Sequence, residues 1–182
     1  MASSRICRKY WYESNLQKAT LILYPNTWGD YLGDLEDPTR WYSSIWGKRV
    51  SDDNLMFELM CLQVFQAGLT WRSILNRRNE FKLAFNEWNI DSVMAMTEKE
   101  ITNLTYNASI IRNRRKIEAC VFNANVAKSI QNEYGSFCYW VYEVLPGDEL
   151  QDLQRYLRPR FKFLGPEIAR MWLLAVGRLL DS

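Results

Sequence analysis

Gln63 is the residue in this chain whose position asks for a chemical explanation. Leu55, Met56, Leu59 and Met60 recur at three- and four-residue spacing, and the same stripe continues onto Gln63 and Ala67. An amide on the inward face of a helix has one oxygen acceptor and two N–H donors to place, so something opposite must receive them. Eight residues on stands Trp71, directly after the Gly68-Leu69 step, while Trp41 and Trp46 flank the other approach. Rings that stack on both faces of a plane, an amide that reads its edge, an apolar residue that fills a vacated stack and nearby basic residues are what is needed to hold a nucleobase turned out of its duplex. Taken alone, Gln63 also reads as a core amide satisfied by backbone, and any single tryptophan as core filling.

The elements that position these residues read as helices. Ser51 can cap the helix that carries Gln63, Asp52 and Asp53 suit its first turn, and Gly68 can end it. Trp71 opens a second helical stretch through Phe85. Asp91 and Thr97 look like successive caps, the latter within a capping box, Thr97-Glu98-Lys99-Glu100. After a break from Asn107 to Arg112, a long helix is expected from about Asn113 to Tyr134, ended by Gly135, and Ser136 begins another through Val144. A turn at Pro146-Gly147-Asp148 precedes DELQDLQRYL, RPRFKFLG and PEIARMWLLAVGRLL, which read as helix, tight connection, helix, with Pro166 in the first turn of the last. No repeat and no strand alternation is visible, so the expected fold is all-α. Residues 1–40, mixing aromatics with turn residues, read as a divergent N-terminal arm packed over a helical domain of residues 41–182 with a hairpin near 158–166.

Composition narrows the function. The 182 residues are 48% apolar, 24% charged and 14% aromatic, with eight tryptophans, which is an ordinary soluble balance apart from the aromatic surplus. A net charge of +2 names no partner, but Arg112, Arg114, Arg115 and Lys116 cluster, as do Arg158, Arg160 and Lys162, and such groups can follow a phosphate backbone. The chain contains no histidine, so it can offer neither an imidazole base nor a His-containing zinc site. Cys7, Cys61, Cys120 and Cys138 form no C-x-x-C pair and read as reduced, structural thiols. There is no G-x-S-x-G, P-loop or G-x-G-x-x-G motif. With no signal segment and no run of transmembrane length, a cytoplasmic location is expected.

Four motifs in order carry a family resemblance: WG-x-x-x-S-D-D-x-x-x-F-E-x-x-x-L, QAGLTW, ASIIRNRRKIEA-x-x-x-NA and FKFLGP. Together, from roughly Trp41 to Gly177, they resemble the 3-methyladenine DNA glycosylase I family of the helix-hairpin-helix superfamily. The resemblance implies two helical lobes with a pocket between them. It further implies hydrolysis of the N-glycosidic bond of an alkylated purine in double-stranded DNA, without an enzyme-bound intermediate, by a protein expected to act as a monomer. It assigns Trp71 to stacking on the flipped base, and Gly68 and Leu69 to the turn that wedges into the DNA. Trp41 takes the place of the pocket tyrosine, and Trp46 matches the tryptophan of the E-W-G segment, which with Tyr42 completes the base-binding set. FKFLGP becomes the hairpin, with amides around Lys162 and Gly165 as phosphate holders and Arg160 beside them.

Two departures from the family pattern stand out. The family's base-reading glutamate, eight residues before the stacking tryptophan, is Gln63 here. The family's zinc site is missing: its first histidine aligns with Tyr42, the chain ends before the C-terminal His and Cys, and only Cys7 could match a ligand, so no metal and no cofactor are expected. The chemistry can still run, because N3-methylation makes the base cationic and hence a good leaving group, and a cation gains about 0.5–2 kcal/mol from each aromatic face. A neutral amide keeps the geometry of the glutamate and loses its charge, which should weaken selection of cations over neutral bases by roughly 1 kcal/mol. The alternatives are a catalytically weak or inert damaged-DNA binder and a glycosylase of shifted lesion specificity.

Overall fold

The computed structural model describes residues 38–179, and every regular element among them is helical. The N-terminal arm, including Cys7, lies almost wholly outside the described residues. No helix among those described is long and apolar enough to cross a membrane.

Helix α1 (Pro38–Ile45) leads through the Trp46-Gly47 turn to α2 (Asp53–Gln66), around which the other helices gather. Asp52 rather than Ser51 caps α2, its carboxylate accepting from the amides of Asn54 at 2.7 Å and Leu55 at 3.1 Å. Met56 to Phe65 are all buried, so α2 is enclosed on every side rather than amphipathic. Where one continuous helix to Phe85 is expected, two form, α3 (Trp71–Leu75) and α4 (Arg78–Ala84), parted at Asn76 and Arg77. A left-handed turn follows, with φ of 52°, 56° and 57° at Asn86, Glu87 and Trp88. Each such residue costs about 1–2 kcal/mol, offset here by Trp88, fully buried and stacked on Phe85 at 4.5 Å.

That turn sets the next cap at Asn89 rather than Asp91: its side chain accepts from the Ser92 amide at 2.9 Å and starts α5 (Ile90–Met94). Thr97 and Glu100 form the expected capping box for α6 (Glu98–Tyr106). The long helix α7 (Arg114–Tyr134) is capped by Asn113 and ended by Gly135 at φ +85°. Ser136 caps the short α8 (Phe137–Tyr139), which widens into a π turn over Trp140–Val144. Helices α9 (Leu150–Leu157) and α10 (Pro166–Ala175) close the chain, with Pro166 at the start of α10. Gly177 passes so close to the α1–α2 turn that a Cβ there would lie 2.7 Å from the Gly47 carbonyl oxygen, and the Gly47 amide donates to Ala175 at 2.9 Å.

Asp53 ties the start of α2 to the junction of α7 and α8. Its carboxylate accepts from the Cys138 and Phe137 amides at 2.7 and 2.8 Å, from Ser136 Oγ at 2.7 Å and from Gln131 Nε2 at 2.8 Å. Burial pushes this carboxyl's pKa up, and those four donors together outweigh burial and hold it below the ordinary value. In acid the folded state therefore binds fewer protons than the unfolded chain, so the stabilisation is present above about pH 4 and lost as pH falls through the folded pKa. Asp53→Asn is expected to melt well below wild type at pH 6, with the gap narrowing towards pH 3. Thermal melting across that range checks it, and a constant gap would contradict it.

Candidate active site and nucleic-acid interface

Gln63 lies on α2 with 1% of its surface exposed. Its Nε2 donates to the Tyr42 hydroxyl at 3.2 Å, and its Oε1 is buried with no hydrogen-bond partner among the described residues. If the amide's oxygen and nitrogen exchanged places, the phenol would donate to the oxygen and leave the NH2 unpaired instead, so with Tyr42 as its one partner among the described residues one end of the amide stays unmet. A buried polar atom in that state costs about 1–3 kcal/mol.

Tyr42, carried by α1, is the centre of the aromatic cluster. Its ring lies 4.5 Å from Trp71, 5.2 Å from Trp46 and 6.1 Å from Trp41, tilted in each case. Burial pushes the phenol's pKa far above its usual range, so the hydroxyl remains neutral at any physiological pH. Trp71, at the start of α3, is half-buried, and its indole N–H is buried without a partner among the described residues. Two unmet polar atoms, Gln63 Oε1 and Trp71 Nε1, thus belong to residues that both touch Tyr42, one at its hydroxyl and one at its ring. In this structure the Tyr42 ring holds the ground against Trp71, since a base sandwiched between two rings needs about 7 Å, twice the carbon contact distance.

Trp41 is committed elsewhere. The Arg78 guanidinium lies 3.4 Å from the centre of its ring, and Arg78 makes a bidentate pair with the buried Glu58 at 2.6 and 3.0 Å. This Glu58–Arg78–Trp41 stack joins α1, α2 and α4. The sequence reading missed it because its members stand far apart in the chain, Glu58 and Arg78 being 20 residues from one another.

The DNA-facing candidates fall on two loops. Gly68, at φ +81°, makes the turn that leaves Leu69 41% exposed, and the left-handed backbone there is one that a side chain would strain. In the hairpin, Phe161 and Leu164 are buried, while Lys162 and Phe163 face outward, Phe163 at φ +58°. The Lys162 amide donates to Asn123 Oδ1 at 2.8 Å, so this amide is already taken, and what Lys162 offers outward is its ammonium, 4.2 Å from the centre of the Phe122 ring. Gly165 caps α10, and Arg160 is exposed beside the Tyr156 ring. The first basic cluster divides. Arg114 pairs with Glu98 and Glu118, Lys116 is buried, and Arg115 reaches the Phe163 ring of the hairpin at 5.7 Å. A cleft of about 190 Å³ lies beside the α1–α2 turn, lined by Lys48, Arg49 and Asp52 among others. It is smaller than a typical ligand pocket of about 300 Å³ or more, and none of the base-reading candidates lines it.

Among the described residues no three His, Cys, Asp or Glu side chains are grouped as metal ligands would be. Cys61, Cys120 and Cys138 are buried free thiols.

Comparison with known proteins follows the same lines. Residues 33–160 match the family described as methyladenine glycosylase. DNA-3-methyladenine glycosylase 1 of Escherichia coli is 28% identical over 159 residues, covering 78% of this chain and 85% of that protein. A structure of 3-methyladenine DNA glycosylase I from Staphylococcus aureus, described in terms of its recognition of 3-methyladenine, superposes with a TM-score of 0.69 at 27% identity, covering 78% of this chain and 85% of the other. A glutamate-to-glutamine variant from the same organism gives a TM-score of 0.70 at 28% identity, over 82% and 93% of the two chains.

Proposed function

The chain belongs to the methyladenine glycosylase family, and from that premise we propose that it is a monofunctional DNA repair glycosylase that releases 3-methyladenine-type bases from duplex DNA and leaves an abasic site. The observation that carries this reading is the unmet amide of Gln63 inside a cluster of Trp71, Tyr42 and Trp46. A flipped base would stack on Trp71, displace the Tyr42 ring from it and so free Gln63 Nε2, leaving both ends of the amide to read an adenine edge. The oxygen would accept from the exocyclic amine, and the NH2 would donate to a ring nitrogen.

The methylated base carries the positive charge that makes it leave. When the C1′–N9 bond breaks, its electron pair stays with the base, water adds to C1′ and one proton is released. No acid is needed at the base, and the neutral Gln63 and Tyr42 are compatible with that. Leu69 would fill the gap in the stack, while Gly165, Arg160 and the Lys162 ammonium would meet the backbone. The protein is proposed to act as a monomer and without zinc. The residues present do not fit the family's metal site, because Tyr42 at the first histidine position is a neutral phenol bonded to Gln63.

The second reading, an inert binder of damaged DNA, is favoured by the Tyr42 ring seated against Trp71. Chromatography of bases released from methylated duplex DNA separates the two. Free 3-methyladenine is the expected product, and tight binding without release would establish the binder.

A further inference from the structure

Two buried polar residues on one face of α7 reach the two loops read above as DNA-contacting. Lys116, 6% exposed, extends its ammonium to the end of α2, donating to the carbonyl oxygens of Phe65 at 2.9 Å and Ala67 at 2.6 Å. A cation at the last carbonyls of a helix is favoured by the dipole, and here it pins the residues immediately before Gly68 and Leu69. Asn123, fully buried, takes both backbone groups of Lys162 at once, accepting from its N–H at 2.8 Å and donating to its carbonyl at 3.0 Å.

Seven residues separate the two, which on a helix is two turns: the side chains leave within about 20° of one another and about 10.5 Å apart along the axis. From its outer surface α7 also meets the hairpin, Arg115 over Phe163 and Phe122 under the Lys162 ammonium. We propose that α7 is a brace that fixes the distance between the wedge turn at Gly68-Leu69 and the 161–166 hairpin, with Lys116 and Asn123 as its positioning residues. A wedge enters the stack at one base step while a hairpin grips the backbone at another, so their separation has to be held to within an ångström or so for the base to be turned out at the right place. This rests on the proposed function, which makes both loops DNA-contacting.

The test compares wild type with Lys116→Met and Asn123→Leu on methylated duplex DNA and on the same strand alone, with thermal melting alongside. The brace predicts a loss of at least about tenfold on the duplex and less than about twofold on the single strand, where no stack has to be opened. The double variant should be no more than about twofold worse than the worse single variant, because the spacing is lost once either end is free. Equal losses on both substrates, losses that follow the folded fraction, or a double variant whose loss is the product of the two singles would overturn the brace. Lys116→Arg and Asn123→Asp, which retain part of the bonding, carry the test if the first variants do not fold.

Binding supplies a reading that needs no chemistry. Wild type is expected to prefer a duplex holding a tetrahydrofuran abasic analogue over an intact duplex. The preference should collapse in both variants, whereas an unchanged preference would overturn the brace. A wild type that releases no base overturns the proposed activity while the binding arm still decides the brace, and a wild type with neither release nor preference overturns both.

Discussion

Trp71→Ala is expected to lower release of 3-methyladenine from duplex DNA by about a hundredfold, the upper part of the range that loss of one base–aromatic stacking platform, about 1–3 kcal/mol, permits. The indole has no hydrogen-bond partner to lose among the described residues, since its N–H is already unmet there, and the ring is only half-buried. Folding should therefore lose chiefly the contact with Tyr42 at 4.5 Å, about 0.5–1.5 kcal/mol, a shift of a few degrees in melting temperature. Loss of activity without comparable loss of stability is what separates a platform from a core residue. Trp71→Phe keeps a face for stacking and should fall within about fivefold of wild type, since only part of the stacking area goes. Initial rates on methylated duplex DNA, with melting curves of the same preparations, measure both. Unaltered release in the alanine variant would remove Trp71 from the site.

What the sequence disclosed and what it hid divide by distance along the chain. The capping box at Thr97, the helix starts near Asn113 and Ser136, the stop at Gly135 and the proline start of α10 were all legible, because each is set by the residue itself or by a bond to one a few positions away. The break at Asn76 and Arg77 was not, since the apolar pattern runs on through it. The cap at Asn89 was missed because three left-handed residues redirect the chain just before it. Gln63 faces inward as expected, yet for a broader reason than its stripe: α2 is surrounded, so Glu58 on the same helix is buried too and needs Arg78. The long-range bonds could not be read at all. Lys116 looked like one more charge in a basic cluster, and only folding brings it to Ala67, 49 residues away, or brings Asn123 to Lys162 across 39. Tyr42 shows the same limit, because its contacts with both Gln63 and Trp71 follow from how α1 docks.

Gln63→Glu is expected to raise release of 3-methyladenine by about tenfold, because a carboxylate would add a charge-assisted bond to a cationic base worth about 1.4 kcal/mol more than the neutral one. The gain carries a cost in the free protein. The side chain at position 63 is 1% exposed and, among the described residues, has Tyr42 alone for a hydrogen-bond partner, which carries no positive charge. Placing a carboxyl there should lower stability by about 2 kcal/mol, near 4–8 °C for a chain of this size, and raise that carboxyl's own pKa. The sign of the pH dependence follows. Only the ionised form attracts the cationic base, so the advantage over wild type should grow as pH rises through the raised pKa and shrink below it. Rates at pH 6 and pH 8 with matched melting curves test all three consequences. If release is indifferent to the substitution at both pH values, Gln63 does not touch the base, and its unmet oxygen would be a feature of the core rather than of the site.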